Sequence, residues 1–260
     1  MRIDARALAP SALAALSVDD VQRLGLSHGR DALALAELFD VERVDDGAAD
    51  TLVLDGDLAR FDVIGAGLAG GTIEVRGPVG DSAGMGMTGG RLVIHGDARD
   101  LVGCSMRGGW LEVHGRVGDF AASALPGHRD GMRGGTLLVH GASGARLADS
   151  LRRGTVVVLG DCGDCAGARM VAGTLALGGR CGAHAGWGMR RGSLVFAGTA
   201  PPSPPPTFVP LCSDAEVFWQ LLARDLARFG GPFAGLPQRR VQRWAGDVAV
   251  QGHGEWLLAS

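Results

Sequence analysis

The stretch from Gly70 to Gly198 repeats one glycine-bounded pattern, and this repeat limits what the chain can fold into. Each unit opens at a glycine, continues through alternating apolar residues and closes at or beside another glycine. The opening glycines are separated by 19, 19, 26, 19, 19 and 19 residues; they are Gly71, Gly90, Gly109, Gly135, Gly154, Gly173 and Gly192. A fixed period lets equivalent side chains stack from one unit to the next. The longer spacing places a seven-residue insertion between Gly118 and Met132.

Alternation within each unit indicates a strand with one buried face. The second and fourth residues after each opening glycine are apolar: Ile73/Val75, Leu92/Ile94, Leu111/Val113, Leu137/Val139, Val156/Val158, Leu175/Leu177 and Leu194/Phe196. A second apolar ladder lies three residues before the opening glycine of each unit: Met87, Met106, Met132, Leu151, Met170 and Met189. The repeat predicts an all-β solenoid, a right-handed parallel β-helix of about seven to eight 19-residue rungs with a C-terminal α-helix. Thr51–Leu54 fits a degenerate first rung.

Further glycines recur after each strand and are expected at corners, where the chain bends tightly or takes a positive φ. The first set is Gly77, Gly96, Gly115, Gly141 and Gly160, and the second is Gly80, Gly118, Gly144, Gly163 and Gly182.

Composition and flanks divide the chain into four parts. The predicted parts are an N-terminal capping segment (1–47), the β-helix (48–200), a Pro-rich linker (201–212) and a C-terminal helix and tail (213–260). Ser17 is a candidate N-cap, and 32–39 fits either a helix or a strand. Ser213 to Glu216 fits a capping box. The helix that follows is expected to cap the open end of the solenoid, with an apolar side of Val217, Phe218, Leu221, Leu222 and Leu226. The tail with Trp244 and Trp256 either packs at the same end or reaches a partner.

Overall charge and cysteine usage exclude several classes of protein. The formal net charge is −3, no apolar run is long enough to span a bilayer, and no secretion signal is expected. Five cysteines without a disulfide-like framework favour a reducing cytoplasm. A mildly acidic chain whose arginines are not interleaved with aromatic residues disfavours nucleic acid as a partner.

The candidate metal and redox residues have structural interpretations. Cys162 and Cys165 form a CxxC, but Cys162 and Cys181 share the ladder position of Val79, which indicates small core residues. His95, His114 and His140 stack on one outer face; because ladder residues point in parallel and no carboxylate is expected to complete the set, no metal site is predicted. Asp81, Asp100, Asp119 and Asp164 form a turn ladder expected to accept backbone hydrogen bonds. No catalytic constellation is expected on this chain.

Arginines form the most suggestive polar set. Arg107, Arg133, Arg152 and Arg190 stand two residues before the opening glycines, with Arg153 and Arg191 adjacent. They predict a cationic stripe along one edge, able to attract an extended anion; a solvated edge paired with scattered acids is the alternative.

The outward strand positions change character along the solenoid. They are polar in the early rungs and apolar later, at Leu138, Val157, Leu159, Ala176, Val195 and Ala197. An apolar outer face needs a cover, which is either the C-terminal flank or another protein chain. Leu138, Val157, Leu159 and Val195 are therefore candidate interface residues.

The repeated Gly-Gly-x-Φ-x-Φ-x-Gly units, where Φ is apolar, resemble those of the C subunit of formylmethanofuran dehydrogenase. They lie at Gly70–Gly77, Gly89–Gly96, Gly108–Gly115 and Gly134–Gly141, and the resemblance covers roughly residues 50–200. The β-helix is also similar to the C-terminal domain of the glutamate synthase large subunit, but a 260-residue chain without fused catalytic regions favours the dehydrogenase family.

The resemblance implies a non-catalytic scaffold in one of two enzyme complexes. One is the bacterial formyltransferase/hydrolase complex, which moves a formyl group from formyl-tetrahydromethanopterin to a methanofuran-type carrier and hydrolyses it to formate. The other is a tungsten or molybdenum formylmethanofuran dehydrogenase. The absence of lysine and asparagine indicates a GC-rich bacterial source and favours the first. A free-standing metal-binding β-helix enzyme is a further alternative.

Within such a complex, the resemblance implies three kinds of partner: hydrolase-like chains, formyltransferase-like chains and chains like the B subunit of the dehydrogenase. The arginine stripe is a candidate site for the polyglutamyl tail of the carrier. The insertion at 119–131, with Arg129 and Asp130, is the expected docking loop.

Overall fold

Stacked parallel strands dominate the computed structural model, which describes residues 2–44, 50–212 and 216–260. In chain order the strands and α-helices are β1 (Ile3–Asp4), α1 (Pro10–Leu13), α2 (Val18–Gln22), β2 (Gly25–His28), β3 (Asp31–Ala34), β4 (Thr51–Asp55), β5 (Phe61–Asp62), β6 (Thr72–Arg76), β7 (Arg91–Ile94), β8 (Arg107–Val113), β9 (Arg133–Val139), β10 (Arg153–Val158), β11 (Thr174–Leu177), β12 (Ser193–Phe196), β13 (Val209–Pro210), α3 (Glu216–Ala227), β14 (Val241–Gly246) and β15 (Gly254–Ala259). Short 3₁₀ turns lie at Leu35–Glu37, Gly231–Phe233, Leu236–Gln238 and Val248–Val250.

Eight strands, β4 and β6 to β12, pair in parallel in sequence order and form about eight solenoid coils. The register follows the sequence period, since Ile73 pairs with Leu92 and Leu111 pairs with Leu137 across the longer spacing. The predicted inward residues and the methionine ladder are fully buried. The predicted parallel β-solenoid, including the first rung at β4, is confirmed.

The insertion lies where the period lengthens. The Met132 N–H donates to the Ala122 carbonyl and the Gly131 N–H donates to the Ser150 carbonyl, so the coil resumes at Gly131. The Ser105 N–H still donates to the Ser123 carbonyl on the preceding side. The extra chain therefore projects from one corner of a single coil.

Coil spacing, and not positive φ, explains the glycines that follow each strand. Of the two reasons expected for them, the left-handed conformation is wrong, because Gly77, Gly80 and their equivalents are absent from the positive-φ positions of the described chain. A Cβ on Gly96 would lie 2.5 Å from the Gly77 carbonyl carbon, so no side chain fits between the coils there. Left-handed backbone occurs at the opening glycines, for example Gly154 with φ 102°.

Aspartates lock successive coils together, which confirms their predicted structural role. Oδ1 of Asp100 accepts from the Asp119 N–H at 2.9 Å, and Oδ1 of Asp119 accepts from the Ala145 N–H at 2.7 Å. Asp164 makes the same bond to the Ala183 N–H at 2.8 Å.

The far end of the solenoid is covered by strands, which corrects the prediction that the C-terminal helix caps it. β15 pairs in parallel with β12, and β14 and β13 continue the sheet in antiparallel pairing. Trp256 enters the solenoid core, with its ring 4.6 Å from Phe196 and 5.1 Å from Phe208. The tail thus supplies the backbone partners that the last coil needs.

Helix α3 instead lies on the outer face of the late coils. It buries Trp219, Ala223 and Leu226, spaced four and three residues apart. The predicted apolar side is therefore wrong for Val217, Phe218 and Leu221, which are 75%, 43% and 64% exposed. The indole of Trp219 fixes this rotation by donating to the Arg239 carbonyl at 2.9 Å. The predicted capping box at Ser213 falls on residues 213–215, outside those described.

The N-terminal segment joins the first coil. β1 pairs in parallel with β5 and in antiparallel with β2, in a four-stranded sheet ordered β3-β2-β1-β5. Ser17 caps α2 by accepting from the Asp20 N–H, as predicted. The ambiguous segment 32–39 is the end of β3 followed by a 3₁₀ turn.

The boundary predicted at 47/48 lies among residues 45–49, which are not described. Across the described residues, no helix has the length and apolar character to cross a membrane.

Candidate functional sites on the outer faces

Two outer surfaces bring polar groups together: the outward face of the early strands and the edge where the arginines lie. On the early strands, outward residues recur at the third and fifth positions after each opening glycine. The third-position series begins Glu74, Val93 and Glu112, and the fifth-position series begins Arg76, His95, His114 and His140. Side chains two apart on a strand share a face, so the two series are neighbours.

The three histidines stack as predicted. The ring centroids of His95 and His114 are 4.9 Å apart, and those of His114 and His140 are 4.6 Å apart with planes inclined by 5°. The rings are part-exposed at the surface, with 40% of the His114 side chain and 34% of the His140 side chain accessible.

Glu112 closes this ladder, which contradicts the expectation that no carboxylate completes the set. Its Oε1 lies 3.0 Å from Nε2 of His140 and 3.6 Å from Nε2 of His114. One ligand atom from each of the three residues lies within 4.8 Å of the others. The ladder geometry allows this because Glu112 lies on β8 two residues before His114, which directly follows that strand. The neighbouring strand β9 leads into His140.

The other carboxylate oxygen of Glu112 is already engaged. Oε2 accepts from Nε1 of Trp110 at 3.0 Å and from Nη2 of Arg91 at 3.1 Å. Burial acts to raise the pKa of Glu112, but the hydrogen bonds from Trp110 and His140 and the charges of Arg91 and His114 together outweigh it and lower that pKa. Burial, with the charge of His140, lowers the pKa of His114. The cluster therefore favours an ionised carboxylate beside a neutral imidazole.

His95 belongs to a separate pair. Its Nε2 lies 3.1 Å from Oε1 of Glu74, which also accepts from Nε of Arg76 at 3.2 Å. The Arg76 hydrogen bond lowers the pKa of Glu74. The His95 imidazole thus has its own carboxylate, Glu74, which lies two coils away from Glu112.

The arginine stripe forms, but in two groups. Arg107, Arg133, Arg152 and Arg190 occupy one coil position, since each donates its backbone N–H to a carbonyl of the methionine ladder in the preceding coil. Val171 makes the equivalent bond to Leu151 and interrupts the series. Arg190 and Arg191 are thereby separated from the remainder of the stripe. All six arginines are exposed.

Asp130 of the insertion neutralises part of the larger group. Its carboxylate pairs with both Arg133 and Arg152. Among the described residues, Arg107, Arg153, Arg190 and Arg191 have no ion-pair partner. The edge is therefore paired at Asp130, and among the described residues it carries arginines without an ion-pair partner on either side.

A groove of about 390 Å³ lies beside this group. The insertion forms one wall with Leu125, His128 and Asp130, and Arg6 of the N-terminal segment forms another. Arg107, Arg133, Thr88 and Ser105 complete its polar lining. Sequence reasoning does not connect Arg6 or His128 to the stripe, because their approach depends on how the insertion and N-terminal segment fold onto the coils.

Cys162 and Cys181 belong to the core cluster, as predicted. Cys162 is buried and pairs through its backbone with Ser143 and Cys181 in the ladder that starts at Leu58. The neighbouring Cys181 and burial raise the pKa of the Cys162 thiol. The cysteines are free, and Cys212 is the exposed one.

The late apolar face is covered by the chain's own C-terminal flank, which corrects the interface assignment. Leu138, Val157 and Val195 are buried, and Leu159 is part-buried against the same cluster. The cover consists of Trp219, Ala223, Leu226, Phe229, Phe233, Leu236, Leu257 and Ala259. Of the two covers considered from the sequence, the intramolecular one occurs. Leu138, Val157 and Val195 are thus covered by the chain itself, and Leu159 is partly covered.

Glu112 is the main polar residue of these surfaces that sequence reasoning missed. Its position in the repeat is outward, and its i, i+2 relation to His114 places both on one face. Glu112 can be found from the sequence if each histidine is compared with the outward carboxylates of its own coil and of the neighbouring coil, and not only with residues of the histidine ladder.

The fold and these surfaces define a glycine-repeat parallel β-solenoid whose clusters of polar side chains lie on its outer faces. No family model matches the chain. Over 79 residues it is 38% identical to the C subunit of the formyltransferase/hydrolase complex Fhc of Methylorubrum extorquens, an alignment spanning 30% of this chain and 29% of that relative. It is also similar to a chain of the crystal structure of the M. extorquens formyltransferase/hydrolase complex FhcABCD with methylofuran, with 36% identity and a TM-score of 0.91. That likeness covers 100% of this chain and 96% of the other. The chain belongs to the family of formyltransferase/hydrolase complex C subunits, which confirms the resemblance shown by its glycine units.

Proposed function

We propose that this chain is the non-catalytic scaffold of a formyltransferase/hydrolase complex. The complex transfers a formyl group from formyl-tetrahydromethanopterin to a methanofuran-type carrier and hydrolyses it to formate. The observation that carries the proposal is the structural likeness over the whole chain to a member of such a complex.

The partners we propose are hydrolase-like chains, formyltransferase-like chains and chains like the B subunit of formylmethanofuran dehydrogenase, assembled in the cytoplasm. Free cysteines support a reducing compartment. The exposed side of α3, with Val217 75% and Leu221 64% accessible, supports docking of a partner there, because apolar side chains clustered on one helix face are typical of interfaces. The projecting insertion is the second proposed docking element.

The groove beside the arginines is the proposed site for the anionic tail of the carrier. Arg107 lines it without an ion-pair partner among the described residues, and Arg133 lines it while paired with Asp130. Arg153 pairs in the sheet with Arg133 on the adjacent coil, so cationic charge continues beyond the groove. Guanidinium groups bind carboxylates with charge-assisted hydrogen bonds, and a polyglutamyl chain presents carboxylates in series. Arg190 and Arg191 would contact a tail that extends past Val171.

The scaffold proposal is tested by purifying the chain from its native host under mild conditions and identifying co-purifying proteins by mass spectrometry. Recovery of hydrolase-like and formyltransferase-like proteins without a molybdopterin protein supports it. A molybdenum or tungsten protein would instead indicate the redox complex, and a chain repeatedly recovered alone contradicts the scaffold role.

The carrier site is tested in the purified complex with the double variant Arg107→Gln/Arg153→Gln. Loss of two cations should lower co-purified carrier several-fold, measured by mass spectrometry, while native mass spectrometry shows unchanged assembly. Arg116→Gln is the matched control, since Arg116 is an exposed arginine paired with Asp97 elsewhere on the surface. Unchanged carrier content in the double variant would refute the site.

A further inference from the structure

We propose that Glu112, His114 and His140 form a binding site for a divalent transition-metal ion on the outer face of the early coils. The proposal is independent of the scaffold role, because it rests only on side chains of this chain.

Donor geometry is the first argument. Two imidazole nitrogens and one carboxylate oxygen lie within 4.8 Å of one another. A tetrahedral ion bound at about 2.0–2.1 Å needs donors roughly 3.3 Å apart. The Glu112 oxygen already lies 3.0 and 3.6 Å from the two nitrogens. The two imidazole nitrogens, on rings stacked 4.6 Å apart, must tilt towards each other to share an ion, and the partial exposure of both side chains leaves room for this.

Orientation of the carboxylate is the second argument. Trp110 and Arg91 both donate to Oε2 of Glu112, which directs Oε1 towards the two imidazoles. Hydrogen-bonded groups behind a ligand fix its orientation in metal sites. Trp110 is itself held by stacking on Phe229, with ring centroids 6.1 Å apart and planes inclined by 18°. The C-terminal flank therefore supports the ligand set from behind.

The donor set selects the class of ion. Two imidazoles with one carboxylate suit Zn²⁺, Co²⁺, Ni²⁺ or Cu²⁺, whereas Mg²⁺ and Ca²⁺ prefer all-oxygen sites. Three protein ligands leave at least one coordination position for water or for a donor from a partner chain. His95 is not a member of the set, because its Nε2 contacts Glu74.

The test uses the full-length chain without a polyhistidine tag. Zn²⁺ is titrated by calorimetry, and Co²⁺ is titrated by its visible absorption, with circular dichroism as a check on folding. We expect one equivalent to bind, and we expect Glu112→Gln and His140→Ala each to weaken binding by more than about tenfold. His95→Ala is the matched control, as it removes an imidazole of the same ladder outside the set, and it should bind as the wild type does.

The supporting residue gives a second measurement. Arg91→Gln keeps all three ligands but removes one donor to Oε2, so Zn²⁺ affinity should fall by less than in Glu112→Gln. Absence of binding by the wild type overturns the proposal. Equal binding by the folded Glu112→Gln and His140→Ala variants also overturns it, as does equal loss in His95→Ala, which would indicate a general histidine surface.

Discussion

The early and late coils share one interior but differ on the outside. Inward residues such as Leu92 in an early coil and Leu175 in a late coil are fully buried. On the outward face, Glu112 occupies the position that Leu138 and Val157 occupy in the next two coils. Leu138 and Val157 of the later coils lie beneath the C-terminal flank, whereas early outward side chains such as Glu74 and His114 stay part-exposed. The repeat thus determines the core, and the outward residues determine what each stretch of solenoid contacts.

The largest effect is expected from a charge placed on the covered face. Val157 is fully buried beneath the flank, so Val157→Asp should lower the free energy of unfolding by roughly 3–5 kcal/mol, measured by chemical denaturation. Val53 occupies the equivalent position in the first coil and is 43% exposed. Val53→Asp should cost about 1 kcal/mol or less. Equal costs would show that the two faces do not differ in burial.

Arg239 attaches the flank and should give the next largest effect. Its guanidinium donates to the Ala197 carbonyl at 2.7 Å and also to the Ala259 carbonyl. Arg239→Ala should destabilise by about 2 kcal/mol, because hydrogen bonds from charged groups contribute roughly 1.5–3 kcal/mol. Limited proteolysis should then cleave within α3 sooner. Arg240→Ala, at an exposed neighbour, serves as control, and similar cleavage in both variants would contradict this role.

Alkaline pH tests whether the interior of an early coil excludes water at the buried Cys104. Burial raises the pKa of Cys104 from 9.0 to about 12. The protonated thiol is therefore favoured in the folded state, and its contribution to stability is complete below pH 9 and is lost as pH rises towards 12. Between about pH 8 and pH 10 the loss should be on the order of 1 kcal/mol.

The measurement compares wild type with Cys104→Ala by denaturation at both pH values. The chain has no lysine and no tyrosine, so few other side chains titrate in this range. The variant should lose less stability at the higher pH. An identical loss would show that Cys104 is hydrated.

The smallest effect is expected on the uncovered face. Glu74 pairs with Arg76 and His95, but all three side chains are at least 31% exposed. Glu74→Gln should therefore change stability by less than about 0.5 kcal/mol, since exposed ion pairs contribute little. A cost near that of Arg239→Ala would mean that the polar face stabilises the fold.

Periodicity made the coils, the inward ladders and the aspartate bonds predictable from sequence. The C-terminal flank was not, because the side on which α3 packs depends on Trp219 reaching the carbonyl of Arg239, far along the chain. The histidine stack followed from the repeat, whereas its closure by Glu112 required comparing neighbouring coils. The groove beside the arginines could not be predicted, because it depends on the path of the insertion and the repeat period gives no information about that path.

The glycines that admit no side chain between coils have a mechanical consequence. The parallel strands from β4 to β15, at roughly 4.8 Å spacing, make a stack on the order of 38 Å long. At Gly96 the neighbouring backbone lies 2.5 Å from where a Cβ would stand, and aspartate bonds join successive coils. Such a stack resists both shear and compression along its axis. Groups bound near the two ends of the solenoid are consequently held at a constant separation.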